Sequence, residues 1–271
     1  MEAQVGSLRV RNGIELRQVK ADMAFEDDVL DVKTFTANLL GGSARAAMHF
    51  EGRGKAVRVN VEGSNVLLER WFKERGSDAT FTGGPMAITA KLAATGDSLR
   101  DLSKVMNGNV AIRMGPGTYV SQRAGEAEAK MASFALKEPD PGIAFECASA
   151  ELPFEHGRAA GSGIIGGRSD LSRLVTSGYV SMRDVAVDLR GRLRARPGLG
   201  AGLSNIAKDI RISGNLRDMK VSLDPADAGN RVLRAGAAVA TLGLSLAGSA
   251  ANNARREDVD PCAAVFQVAH R

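Results

Sequence analysis

The chain is short of the residues that most enzymes use. Its 271 residues include three histidines, His49, His156 and His270, and two cysteines, Cys147 and Cys262. None of the histidines falls in H-E-x-x-H or another metal-ligand spacing. Two cysteines so far apart match no zinc motif and make no C-x-x-C pair. There is no G-x-S-x-G nucleophile elbow and no phosphate-binding P-loop. Acidic residues are scattered over the polar positions of alternating stretches, where solvation accounts for them. The expectation is a protein that is not an enzyme and uses neither cofactor nor metal.

Aromatic residues are also scarce, at 4% with a single tryptophan. An interior must then be filled by Val, Leu, Ile, Ala and Met rather than by large rings. Basic clusters without interleaved aromatics exclude a stacking platform for single-stranded nucleic acid, so nucleic acid is not an expected partner. The net charge of +5 and pI near 9.4 suit a soluble basic protein or one that meets an anionic membrane surface. Long hydrophobic runs are missing too. The longest, Ala235 to Ala251, is about 17 residues of mostly Ala and Gly between Arg231, Arg234, Arg255 and Arg256. A membrane span wants about 20 strongly apolar residues, so this run reads as a helix that packs on a sheet or touches a membrane interface. No signal peptide precedes Val5.

What the chain does have is alternation. From Leu171 to Pro225 it reads as long strands, and side chains on a strand point to opposite faces with period two. One face would carry Val185, Val187, Leu189, Gly191, Leu193 and Ala195. The other would carry Ala186, Asp188 and the arginines Arg190, Arg192, Arg194 and Arg196. Residues 5 to 63 repeat the design, with turns at Glu26-Asp27-Asp28, Gly41-Gly42 and Gly52-Arg53-Gly54, as in an antiparallel meander. Short helices interrupt it. Leu67, Leu68, Trp71 and Phe72 share a helical face, with Asn65 as cap. Leu99, Leu102, Val105 and Met106 share another, with Asp97 or Ser98 as cap and Asn107-Gly108 as the left-handed end. A third helix is expected from about Glu126 to Leu136.

Gly161-Ser162-Gly163-Ile164-Ile165-Gly166 fits G-x-G-x-x-G. The dinucleotide fingerprint needs a helix to open at those glycines; here more strand follows, so nucleotide binding is not expected. The four-arginine stripe is the densest charge feature. It reads either as a solvated outer face with acidic neighbours, or as a docking surface for phospholipid headgroups or an acidic partner.

The order of several weak motifs carries a resemblance. They are Met106-Asn107-Gly108-Asn109-Val110, Phe145-Glu146-Cys147 and Leu174 to Val180, then Val187-Asp188-Leu189 and Ile212-Ser213-Gly214-Asn215-Leu216. Val221 to Pro225, an Ala/Gly-rich helix and Pro261-Cys262 follow. This succession resembles the C-terminal region of the AsmA family of bacterial envelope proteins, most specifically from Cys147 to Cys262. The family looks related to bridge-like lipid transfer proteins, whose curved β-sheet makes a groove lined with apolar side chains.

The resemblance implies transport of phospholipid between inner and outer membranes, or support of outer-membrane biogenesis. Phospholipid, the inner-membrane surface and envelope proteins are the implied partners. It implies a periplasmic location, associated with the inner membrane in the full-length family; no anchor or signal peptide is read in this chain. The expected fold is mainly β with a few short helices: a curved antiparallel sheet forming an apolar groove over residues 1–225, then a C-terminal Ala/Gly-rich helix and polar tail over 226–271. Val57, Val59, Val61, Ile88, Leu92, Ile112, Val185, Val187, Leu189 and Val221 are the expected groove residues; packing of that face against the helices is the alternative for each. A scaffold that assists outer-membrane protein assembly through protein contacts is the rival function. Whether Cys147 and Cys262 form a disulfide or stay as buried thiols is open at this level.

Overall fold

The structure is a computed structural model. It describes residues 1–10, 14–74, 79–121, 142–169, 172–195, 208–216, 218–223 and 260–263. The expected helices at 126–136 and 235–251, and Arg196, lie outside the described residues.

Strands dominate, as the alternation demands. In chain order they are β1 (Glu2–Arg9), β2 (Glu15–Glu26), β3 (Val29–Leu39), β4 (Gly42–Glu51) and β5 (Ala56–Leu67). The short helix α1 (Leu68–Glu74) leads to β6 (Ala79–Gly83) and β7 (Pro85–Thr95), and α2 (Leu99–Val105) to β8 (Asn107–Met114) and β9 (Gly117–Ser121). Then come β10 (Gly142–Glu155), β11 (Arg158–Ser169), β12 (Ser172–Ser181), β13 (Ala186–Ala195), β14 (Lys208–Asn215) and β15 (Asp218–Leu223). All belong to one antiparallel sheet in the order β1-β2-β3-β4-β5-β7-β8-β10-β11-β12-β13-β14-β15, with β6 and β9 branching off beside β10. The first and last strands of that path are not paired to each other, so the sheet is open rather than a barrel. No helix among the described residues is long and apolar enough to cross a membrane.

The hairpins close as their turn residues require. Asp27-Asp28, Leu40-Gly41 and His156-Gly157 all have positive φ, at 46° and 65°, 49° and 84°, and 49° and 75°. Two successive positive φ values define the type I′ turn, whose twist matches that of the flanking strands. Along one rim the turns bond to one another: Gly52 N to Asp28 O at 2.7 Å, Gly96 N to Lys55 O at 2.9 Å, Gly157 N to Met106 O at 2.7 Å and Leu216 N to Val185 O at 3.0 Å.

Several local expectations are corrected. Asn65 lies inside β5 at φ 53°, in a bulge, instead of capping α1. Ser98 does cap α2, accepting from Asp101 N, but the helix ends at Met106 in extended backbone. Gly108 serves β8 instead: its φ is 133°, and a Cβ there would stand 2.0 Å from Lys91 O, so only glycine lets β7 and β8 approach. Leu99 is 87% exposed, and α2 buries no residue. The glycine-rich stretch is strand, as expected. Gly163, at φ 72°, sits in a bulge of β11 between Ser162 and Ile165, a conformation that favours glycine.

Candidate functional site on the apolar face

Directly opposed residues of an antiparallel ladder share a face. One row can therefore be followed across the sheet from β2 to β15: Met23, Val32, Met48, Val59, Leu92, Gly108, Phe154, Ala159, Val180, Val187, Gly214 and Met219. Every member is apolar or glycine. At about 4.8 Å per strand the row runs for about 50 Å. Parallel rows flank it, Val57 beside Ala94 and Phe50, Val61 beside Ala90, and Ile88 beside Ile112.

The register brings nine of the ten expected groove residues to this one face. Val57, Val59, Val61, Ile88, Leu92 and Ile112 lie on it in β5, β7 and β8, and all are half-buried. The burial pattern of β7 alternates without a break between exposed and half-buried positions. Val187 and Leu189 lie on it in β13 but are only 4% and 2% exposed. They pack with Ile164 and Val180, and Leu152, Ile165, Ile212 and Leu216 lean on that cluster. Val221 joins the face by register, opposite Ile212. Val185 does not: it sits in the β12–β13 turn at φ 51° and is 38% exposed. The reason is a local cap, in which Ser181 Oγ donates to Asp184 Oδ2 at 2.9 Å and accepts from Asp184 N at 3.1 Å. The face is thus open over β4 to β8 and filled over β11 to β14.

The opposite face is wet. Arg190, Arg192 and Arg194 occupy wet-face positions of β13, and Arg190 stands opposite Ser177 and Arg211. Across the ladder the register sets Asp209 of β14 opposite Arg192, while Asp188 precedes the stripe on β13 itself. Arg211 holds Asp188 with two hydrogen bonds, Nε to Oδ1 at 2.9 Å and Nη2 to Oδ2 at 2.8 Å. Those bonds hold the Asp188 carboxyl below the usual carboxylate range. A lowered folded pKa contributes stability above the unfolded value of about 3.9, and that contribution is lost as pH falls below it. The thermal midpoint of the native chain is expected to fall between pH 5 and pH 3 more steeply than that of Asp188→Asn, about in those bounds. Parallel melts across that range check it.

Sequence reasoning missed how the C-terminal segment docks. Cys147 and Cys262 are bonded, with Cα atoms 6.4 Å apart. The disulfide sets residues 260–263 against the wet face of β10 and β11. Ser149 Oγ donates to Cys262 O at 3.0 Å, Cys262 N donates to Asp260 Oδ1 at 3.0 Å, and Arg168 pairs with Asp260 at 3.8 Å and with Glu146 at 2.5 Å. Pro261 is fully buried there. A stable bridge of this kind belongs to an oxidising compartment. The two cysteines were the one sequence signal for this docking; the partner face is set by the fold.

These features define a class: an open, single-sheet β protein with one continuous apolar face and a disulfide-anchored C-terminal segment. The model of the AsmA family matches residues 1–161, more than half of the chain. The chain belongs to the AsmA family, whose members are associated with the cell envelope. The match covers the N-terminal strands through β10, so it includes Met106 to Val110 and Phe145 to Cys147; the motifs from Leu174 onward lie beyond it. No curated protein and no solved structure matches the chain.

Proposed function

We propose that the chain is a non-enzymatic envelope protein that shields phospholipid acyl chains on its apolar face, in lipid transport between inner and outer membranes or in outer-membrane biogenesis. The observation that carries the reading is the half-buried state of Val57, Val59, Val61, Ile88, Leu92 and Ile112 in an otherwise unbroken apolar row. Contiguous exposed apolar surface on a soluble domain marks an interaction site. Neither α1 nor α2 plugs it: α1 rests on β6, and α2 touches β7 without burying a residue. Acyl chains suit a long, shallow, featureless strip. Each buried methylene is worth about 0.8 kcal/mol, so ten supply about 8 kcal/mol gross, against which the cost of association is set. Headgroups stay in water at the rim, and the mechanism is passive.

The test is native mass spectrometry with lipid extraction of the chain purified from bacterial envelopes. Phospholipid at a defined stoichiometry is expected, and its loss in Val59→Asp and Leu92→Asp. An aspartate in the strip places a charge where acyl carbons would lie, while both sites have enough solvent access to leave the fold intact. A folded wild-type chain free of lipid, under conditions in which a known carrier retains it, would turn the reading toward scaffolding.

A further inference from the structure

The wet face carries a concavity of its own. A cleft of about 750 Å³ opens over β1 to β5 and β7. Its floor is a cross-strand row in which Gln4, Lys20, Thr36, Arg45, Glu62 and Thr89 each stand directly opposite the next. A second row, Asn38, Ser43 and Ser64, closes one side. The hollow has a backbone cause. Bulges interrupt β2 around Gln18, β3 between Val32 and Phe35, and β5 between Gly63 and Val66. Bulges bend a strand, increase its twist and re-aim side chains. Gln18 is held at φ 51°, a conformation uncommon outside glycine. Outliers of this kind persist where the surroundings hold them, and they gather at ligand clamps. Asn38 Nδ2 donates to Gln18 Oε1 at 2.7 Å, which fixes the Gln18 side chain and presents its NH2 as a donor.

The chemistry of the lining is specific. Lys20 and Arg45 flank Thr36, two strand spacings or about 9–10 Å apart at the backbone. Long side chains on either side of a hydroxyl can converge on one small anion. Neither cation forms an ion pair among the described residues, although Glu62 stands opposite Arg45. The Ser43 and Ser64 hydroxyls meet at 3.0 Å. Two cations, one carboxylate, amides and hydroxyls, with no aromatic ring, match a small polar anion that also carries hydroxyl groups.

We propose that this cleft binds a phosphate ester of the glycerophosphate class. Arg45 presents a planar fork suited to two phosphoryl oxygens. Lys20 supplies the second charge, the Thr36 hydroxyl donates between them, and Glu62 and Ser64 accept from the ligand hydroxyls. The polar row of the site lies on the face opposite the acyl strip, although Ile88 of the strip also borders the cleft.

Calorimetric titration of the full chain tests it, with glycerol 3-phosphate, inorganic phosphate, and phosphatidylcholine vesicles with and without phosphatidylglycerol as probes. Saturable binding of glycerol 3-phosphate, tighter than that of inorganic phosphate, is expected. Lys20→Ala and Arg45→Ala are each expected to weaken it about tenfold or more, the range for a hydrogen bond to a charged group. Arg45→Lys recovers part of the loss, and Lys91→Ala, on the same face outside the cleft, has no effect. Phosphatidylglycerol-dependent vesicle binding that both alanine variants abolish would identify a lipid headgroup as the source; the free ester alone would identify a soluble one. Inorganic phosphate bound as tightly as the ester overturns the assignment of a hydroxyl-bearing ligand. No saturable binding of either, or alanine variants that titrate like the wild type, overturns the site. Since the variants spare Val59 and Leu92, failure here leaves lipid loading of the apolar strip unchanged and is told apart from failure of that reading.

Discussion

Breaking the Cys147–Cys262 bridge lowers the unfolding free energy by about 4–5 kcal/mol, the largest single effect expected for this chain. The bridge joins residues separated by 115 positions. In the chain-entropy view, a loop of that length removes more freedom from the unfolded chain than a short one does. The folded state adds local support, because Ser149 and Arg168 hold residues 260–263 where the disulfide puts them. At about 2–4 °C per kcal/mol for chains of roughly this size, the thermal midpoint should fall by about 10 °C or more. Melts with and without reductant measure the effect. Cys262→Ser should reproduce it in oxidising buffer and then show no further response to reductant. A loss under about 1 kcal/mol would mean that the unfolded chain gains little freedom on reduction. A chain that depends this strongly on its bridge folds to full stability only in an oxidising compartment, which agrees with the envelope association of its family.

Much of this fold is legible in the sequence because period two is a strong signal. Val57, Val59 and Val61 cannot share a face with Arg58, Asn60 and Glu62 on any strand, and the ladder places them as parity requires. The turns read at Asp27-Asp28 and at Gly41 are legible because Asp and Gly tolerate positive φ, although the second sits at Leu40-Gly41, one residue earlier than Gly41-Gly42. What parity does not reveal is where its phase breaks. Gln18, Asn65 and the Gly163-Ile164 pair each insert a bulge, and nothing in a single strand tells which neighbour will force it. Val185 continues the apolar alternation of Val187 and Leu189 by eye, yet the Ser181–Asp184 cap ends the turn one residue later. The disulfide and the wet-face cleft were out of reach for the same reason. The first joins residues 115 apart, and the second is built from side chains on six strands.

Leu189→Ala and Val59→Ala make the sharpest comparison, because they remove similar groups from two parts of one face. Leu189 is 2% exposed and lies against Gly178 and Ile212, within the cluster of Ile164, Val180 and Val187. Gly178, at φ 136°, has no side chain to move into the space that a shortened Leu189 would leave. Truncating a buried leucine costs about 2–5 kcal/mol, toward the upper end where the site cannot collapse. Val59 stays in partial contact with water in the folded state, so its truncation forfeits only part of a transfer energy, about 1 kcal/mol or less. Denaturant melts with unchanged slope report the two losses directly. The expected ratio says that the sheet is held together by its β11–β14 end, while the β4–β8 end keeps apolar surface for something other than itself. Equal losses would mean that the strip around Val59 is covered in solution, and the acyl-binding reading would lose its surface.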